Sequence, residues 1–170
     1  PLSKARPGSV ELGKQLFFDR SLSHNNTISC AMCHVPTQGF TSNELATAVG
    51  IEGRTVKRNA PSLLNVGYLN QFFYDIRENS LEQQVWSPLL AKNEMANPSI
   101  GFVIDKIKRN DKYNSQFNQI FKQGVSMSTI GEALASYQRS LIAGDSPFDR
   151  YWFSGERKAL TSSQIKGLSV

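Results

Sequence analysis

At 170 residues, 39% apolar and 19% charged, the chain has a globular composition and the length for one domain, or one domain with a helical extension. Its formal charge of +5 comes from scattered lysines and arginines, which argues against a nucleic-acid stripe and for a solvated face, with an acidic redox partner as the most the charge suggests. No apolar run approaches the roughly 20 residues that cross a bilayer, so no membrane span is expected. The first residue is Pro1 rather than methionine, which reads as a processed or trimmed terminus. The first helix signal follows at Ser9 to Phe18, with Leu12, Leu16 and Phe17 on one face and Ser9 as N-cap. Leu22 to Asn26 reads as a loop.

That loop leads to both cysteines of the chain, Cys30-Ala31-Met32-Cys33-His34, the C-x-x-C-H run of a c-type haem attachment site. Two thiols that add to the haem vinyl groups and an adjacent imidazole for the iron make one short turn both anchor and proximal ligand. Three other readings share the spacing. A structural zinc site needs four protein ligands, and beyond this run the chain offers only His24. A thioredoxin-like pair should follow a buried strand, whereas Leu22 to Ser29 is polar and turn-like. A disulfide fits the spacing but leaves His34 without a purpose.

From Val35 to Pro61 the sequence is rich in Gly, Thr and Asn, and predicts a long irregular excursion, uncommon unless functional, that wraps the haem. Phe72-Phe73-Tyr74 has strand propensity but is too short for a sheet. Ser80 to Trp86 predicts a short helix broken before Pro88. Apolar residues at three- and four-residue spacing predict helices over Ile100 to Ile107, Tyr113 to Phe121 and Ile130 to Ile142, the last with Ile130, Leu134, Tyr137 and Leu141 on one face. The fold class that follows is mostly α, a cytochrome c-like haem domain with long loops and additional helices.

A haem alone does not separate a carrier from an enzyme. A carrier closes the sixth iron position, usually with methionine or histidine, whereas an enzyme keeps it open beside acid and base groups. His24, six residues before Cys30, reads as a surface loop histidine; Met95 and Met127 are the candidate closing ligands, though methionine more often fills a core.

Several blocks in order resemble the N-terminal half of bacterial di-haem cytochrome c peroxidases and their MauG-like relatives: Leu12-Gly13-Lys14-Gln15-Leu16-Phe17-Phe18-Asp19, Thr27 to His34, Pro61-Ser62-Leu63-Leu64-Asn65, Phe73-Tyr74-Asp75-Ile76-Arg77, Leu81-Glu82-Gln83-Gln84, Glu94-Met95 and Gly144 to Tyr151. The resemblance implies that residues 1–155 form the peroxidatic haem domain and that 156–170 begin the connection to a second haem domain, which lies beyond Val170. It implies His34 as proximal ligand to a haem held by Cys30 and Cys33, Glu94 as acid and base for peroxide, Gln84 and Pro88 in the same pocket, and Asn59 as a ligand of a calcium ion between the two haem domains. Arg77, beside Asp75, is read as a partner for a haem propionate or for a structural salt bridge. The implied setting is periplasmic, with hydrogen peroxide as oxidant, a small cytochrome c or cupredoxin as donor, no membrane span and no nucleic acid, and a homodimer as one possible assembly.

The chain departs from the pattern at three places. Ile51 stands where many of these peroxidases carry a histidine that caps the resting haem, so the haem is expected to be open or water-ligated at rest. Tyr74 replaces the usual inter-haem tryptophan, and Ile76 the usual glycine, of F-W-D-G-R; Tyr74 is either a relay whose proton must move with the electron or a space filler under the haem. The second C-x-x-C-H is missing, so the segment reads as a fragment, a nicked product or one half of a two-chain assembly. The leading function is peroxide reduction to water through a second haem. The alternatives are a MauG-like oxidation of tyrosine or tryptophan in a protein substrate, a mono-haem electron carrier closed by Met95 or Met127, and a ligand-sensing haem module.

Overall fold

The computed structural model describes residues 5–169; the expected trimmed start at Pro1 and the stop at Val170 lie outside them. Nine helices occur among the described residues: α1 (Ser9–Phe18), α2 (Cys30–Cys33), α3 (Leu81–Gln84), α4 (Trp86–Leu90), α5 (Ile100–Lys108), α6 (Asp111–Ile120), α7 (Met127–Ser140), α8 (Pro147–Trp152) and α9 (Ser162–Gly167). Extended pairing there is limited to isolated bridges, at Val35 with Thr41, Val49 with Thr55 and Phe72 with Glu78, so the mostly α class is what the chain adopts.

The centre is the crossing of α1 and α7. On α1 the expected face is buried, with Leu12, Leu16 and Phe17 each at most 2% exposed. The facing side of α7 buries Ile130, Ala133, Leu134 and Tyr137. Gly13 makes the close approach possible, because a Cβ there would lie 1.9 Å from the Ala133 carbonyl oxygen. One detail differs from the sequence reading: the N-cap of α1 is Gly8 at φ 82°, and Ser9 is the first helical residue, its hydroxyl donating to the Arg6 carbonyl at 2.8 Å. At α7 the start is fixed by a capping box in which Ser126 and Thr129 satisfy each other's backbone N–H.

The predicted helices α5 and α6 form, each opened by a side-chain cap, Ser99 accepting from Phe102 N–H and Asn110 from Tyr113 N–H. Phe117 stacks on Phe121, and the Tyr113 hydroxyl donates to Asp19 Oδ2 at 2.6 Å, tying the end of α1 to α6.

The interruption expected before Pro88 falls at Val85, and the helical run resumes through the proline instead of ending. Pro88 lies inside α4, as its third residue, within the first turn, where the missing N–H has no helical acceptor to lose. α3 ends at Gln84 and α4 restarts across Val85, which keeps helical angles, so Gln84 and Pro88 end up on one short helical arm. Arg139 clamps that arm to α7 by a bidentate pair with Glu82 at 2.5 and 3.0 Å. The excursion from 35 to 61 is irregular as expected, with only two 3₁₀ turns, Pro36–Gln38 and Ile51–Gly53.

Candidate haem-binding and peroxide site

α2 is a single helical turn that puts Cys30 and Cys33 on one side, and the His34 N–H closes it on the Cys30 carbonyl at 2.9 Å. Both thiols are free, so the disulfide reading does not describe this structure. The His34 ring is held by two backbone carbonyls, Phe40 O at 3.0 Å and Pro61 O at 3.1 Å from Nδ1. Carbonyls only accept, so Nδ1 carries the proton and Nε2 keeps its lone pair for a metal. Burial pushes the imidazole pKa down against the opposing pull of those two carbonyls, which favours the neutral, ligating form. The excursion thus has a local purpose: Phe40 and Pro61 together hold the Nδ1 edge of the imidazole. Phe40 sits at φ 57° after Gly39 at φ 69°, a left-handed pair that turns the Phe40 carbonyl back to His34.

Beside this turn is a partly open cleft of about 610 Å³ when the solvent at its mouth is counted. Cys30, Cys33 and His34 line it together with Gln84, Pro88 and Glu94, while Phe17, Ile28, Leu63, Val85, Leu89 and Leu134 supply apolar wall. The residues fit a covalently held haem: two unpaired thiols and a free Nε2 on one turn, facing an apolar cavity. Burial raises both thiol pKa values, Cys30 up to about 12 with the neighbouring Cys33 adding to it.

Glu94 lies on the turn after α4, its N–H donating to Ala91 O at 2.9 Å. Its carboxylate has no hydrogen bond or ion pair among the described residues, and burial raises its pKa against a weaker lowering by the Arg77 charge. An unpaired, part-buried carboxylate in a cleft is suited to holding and releasing a proton. Met95, 4% exposed, also lines the pocket, whereas Met127 is 44% exposed at the start of α7 and His24 packs against Phe102 outside the pocket.

Other residues singled out in the sequence are not in the pocket wall. Tyr74 is 75% exposed. Arg77 pairs with Asp75 at 2.6 Å and lies 3.4 Å over the Phe73 ring, and Arg58 reaches the same carboxylate at 3.4 Å. Asn59 donates to Ser42 O at 2.7 Å while its Oδ1 accepts from Ala60 N–H. Among the described residues no group of three or more His, Cys, Asp or Glu is placed to hold a metal ion. One pocket residue escaped the sequence reading: Gln138, 5% exposed on α7. The signal was available, since a polar residue four positions after Leu134 falls on the apolar face of that helix.

Comparison with known proteins identifies relatives of this sequence and fold. The family model described as di-haem cytochrome c peroxidase matches residues 7–158. The methylamine utilization protein MauG of Methylorubrum extorquens is 36% identical over 166 residues, 96% of this chain and 46% of its own length. The cytochrome c peroxidase Ccp of Escherichia coli is 37% identical over 161 residues, 95% of this chain and 34% of its own length. Among solved structures, the dihaem peroxidase BthA of Burkholderia thailandensis superposes with a TM-score of 0.83 at 28% identity, covering 98% of this chain and 46% of that one. A MauG-like protein associated with microbial copper homeostasis gives 0.85 at 27% identity, covering 96% of this chain and 48% of that one. The chain thus spans about half the length of its relatives or less. With a family match running from before α1 to beyond α8, around a c-type attachment turn and its pocket, this chain belongs to the di-haem cytochrome c peroxidase family, whose cofactor is haem c.

Proposed function

We propose that this chain is the peroxide-reducing part of a periplasmic di-haem cytochrome c peroxidase, residues 1–155 forming the haem domain and 156–170 leading toward a second one. The observation that carries the reading is the meeting of Cys30, Cys33 and His34 with an unpaired Glu94 in one apolar pocket. Bound haem c supplies the redox-active iron, with His34 Nε2 as its ligand. Glu94 takes a proton from the bound peroxide and returns it to the departing oxygen. Gln84 offers an amide to orient peroxide or water, and Pro88, Leu89 and Met95 keep bulk water out. Each peroxide takes up two electrons and two protons and leaves as two waters. A small cytochrome c or cupredoxin would donate the electrons by way of a second haem, with the exposed Tyr74 as the candidate relay. Asn59 contributes one oxygen to a calcium ion completed by groups outside these residues, and homodimerisation belongs to the same proposal.

Ile51, buried at 2% exposure where a capping histidine is usual in the family, supports a haem that needs no histidine release before turnover. The same feature supports the second reading, a MauG-like oxidation of a protein tyrosine or tryptophan. The electron-carrier reading has buried Met95 in its favour. The test is the ferric protein's absorption and electron paramagnetic resonance spectrum, followed by assays with reduced cytochrome and with a protein substrate. High-spin haem and peroxide-dependent cytochrome oxidation are expected; a low-spin methionine- or histidine-ligated haem indifferent to peroxide would overturn the proposal, and protein modification without cytochrome turnover would favour the MauG-like role.

A further inference from the structure

The segment that carries Ile51 is fastened to the backbone that carries Glu94. Residues 48–56 form a small hairpin, closed by Gly50 N–H to Arg54 O at 2.8 Å and Val56 N–H to Ala48 O at 3.1 Å. Its tip residue, Glu52, takes φ 56°. Three hydrogen bonds cross from this hairpin to residues 92–94. Ile51 N–H donates to Glu94 O at 2.9 Å, Arg54 Nη1 donates to Lys92 O at 2.7 Å, and Asn93 Nδ2 donates to Thr55 O at 3.3 Å. Gly50 lets the two backbones touch: a Cβ there would lie 2.1 Å from Asn93 O and 2.8 Å from Glu94 Cα, although its own φ of −92° is open to any residue. The other flank of the hairpin faces the attachment turn, where the Cys33 thiol lies 4.0 Å from Val49 O.

The geometry points to Arg54 as a positioning residue for Glu94: the 48–56 hairpin is a fixed brace that sets the height of the Glu94 carboxylate above the pocket, with the Arg54–Lys92 bond as its outer clasp. This rests on the proposed role of Glu94 and goes beyond it. Buried Ile51 anchors the hairpin in the core, and the guanidinium, held in place by Glu52 at 2.5 Å, spends its second donor on a carbonyl rather than on solvent. Displacing a proton-transfer group by about 1 Å can cost two orders of magnitude in rate, so a clasp far from the reacting atoms has leverage.

The test uses the haem-loaded protein and compares wild type with Arg54→Met, Arg54→Lys and Glu94→Gln. Arg54 is about half exposed, so both variants should fold. Arg54→Met is expected to speed amide exchange in peptides spanning 48–56 and 92–96, and to lower the peroxide rate by about tenfold while leaving KM for the reduced cytochrome unchanged. Arg54→Lys, which can still donate to Lys92 O, should recover part of the rate. A wild-type peroxide rate in Arg54→Met overturns the brace, whether or not exchange changes, provided that Glu94→Gln is slow. A wild-type rate in Glu94→Gln instead overturns the role assigned to Glu94, on which the brace depends.

Discussion

Replacing Gly13 by alanine adds one methyl group at the tightest point of the fold. The new Cβ would lie 1.9 Å from the Ala133 carbonyl oxygen, 2.6 Å from its carbonyl carbon and 3.0 Å from Tyr137 Cβ. Backbone on both sides cannot swing aside, so α1 and α7 must part by more than about 1 Å to restore ordinary contact near 3.5 Å. A radial gap of ~0.5–1 Å forfeits a quarter to a half of each dispersion well. The seam holds Leu12, Leu16, Phe17, Ile130, Leu134 and Tyr137, all buried. The helices part by that much only beside Gly13, and averaged along the seam the gap is nearer ~0.5 Å; at ~2 kcal/mol of burial per side chain, losing a quarter of that contact costs about 3 kcal/mol. Alanine's better helix propensity returns about 1 kcal/mol, leaving a net loss of about 2 kcal/mol. For a domain of this size the melting temperature should fall by about 4–8 °C, read by circular dichroism on the haem-loaded protein. The control is Gly101→Ala in α5, where the nearest atom to a new Cβ is Ser99 Oγ at 3.8 Å. Relief of glycine's entropy there should raise stability by about 0.5 kcal/mol. A Gly13→Ala protein as stable as wild type would refute the claim that backbone contact sets this crossing.

Tyr113→Phe removes a hydrogen bond to the charged Asp19 and should cost about 2 kcal/mol, measured by chemical denaturation. Burial of Asp19 works against its ionised form, but the bonds from Tyr113 and Ser21 outweigh it and leave its pKa below the usual carboxylate range. That stabilisation is therefore present above the unfolded value near ~3.9 and is lost as pH falls through the folded pKa, so the gap between variant and wild type should close in acid. Ile76→Gly should raise stability by about 1 kcal/mol, seen as a higher urea midpoint at unchanged slope, because Ile76 holds φ 54° while half exposed. A lower midpoint would show that the side chain contributes more than its left-handed backbone costs.

The elements that sequence periodicity revealed are those whose partners lie one face away. Leu12, Leu16 and Phe17 on α1, and Ile130, Leu134 and Tyr137 on α7, are buried as their spacing required. The attachment turn was legible because its chemistry is local. Pro88 misled because proline was read as a helix breaker, whereas a first-turn proline starts a helix as well as it ends one. The carbonyls on His34 come from Phe40, turned by left-handed backbone at Gly39 and Phe40, and from Pro61, six and 27 residues away, and no local pattern marks either contact. Tyr74 is 75% exposed on a loop closed by the Phe72–Glu78 bridge, where Arg77 turns onto Phe73. The brace on Glu94 depends on contacts 38 residues apart and was invisible from the chain alone.

The most direct test of the account is the pre-steady-state rate of peroxide consumption by the haem-loaded protein as a function of pH, with Glu94→Gln beside wild type. Glu94 must be ionised to accept the peroxide proton, and burial raises its pKa, so the wild-type rate should climb with pH along a limb lying above the ordinary glutamate value of ~4.3. Glu94→Gln should lose about 10²–10⁴ in rate and lose that limb with it. A variant that matches wild type in rate and in pH profile would contradict the central claim that Glu94 moves the proton in the pocket beside His34.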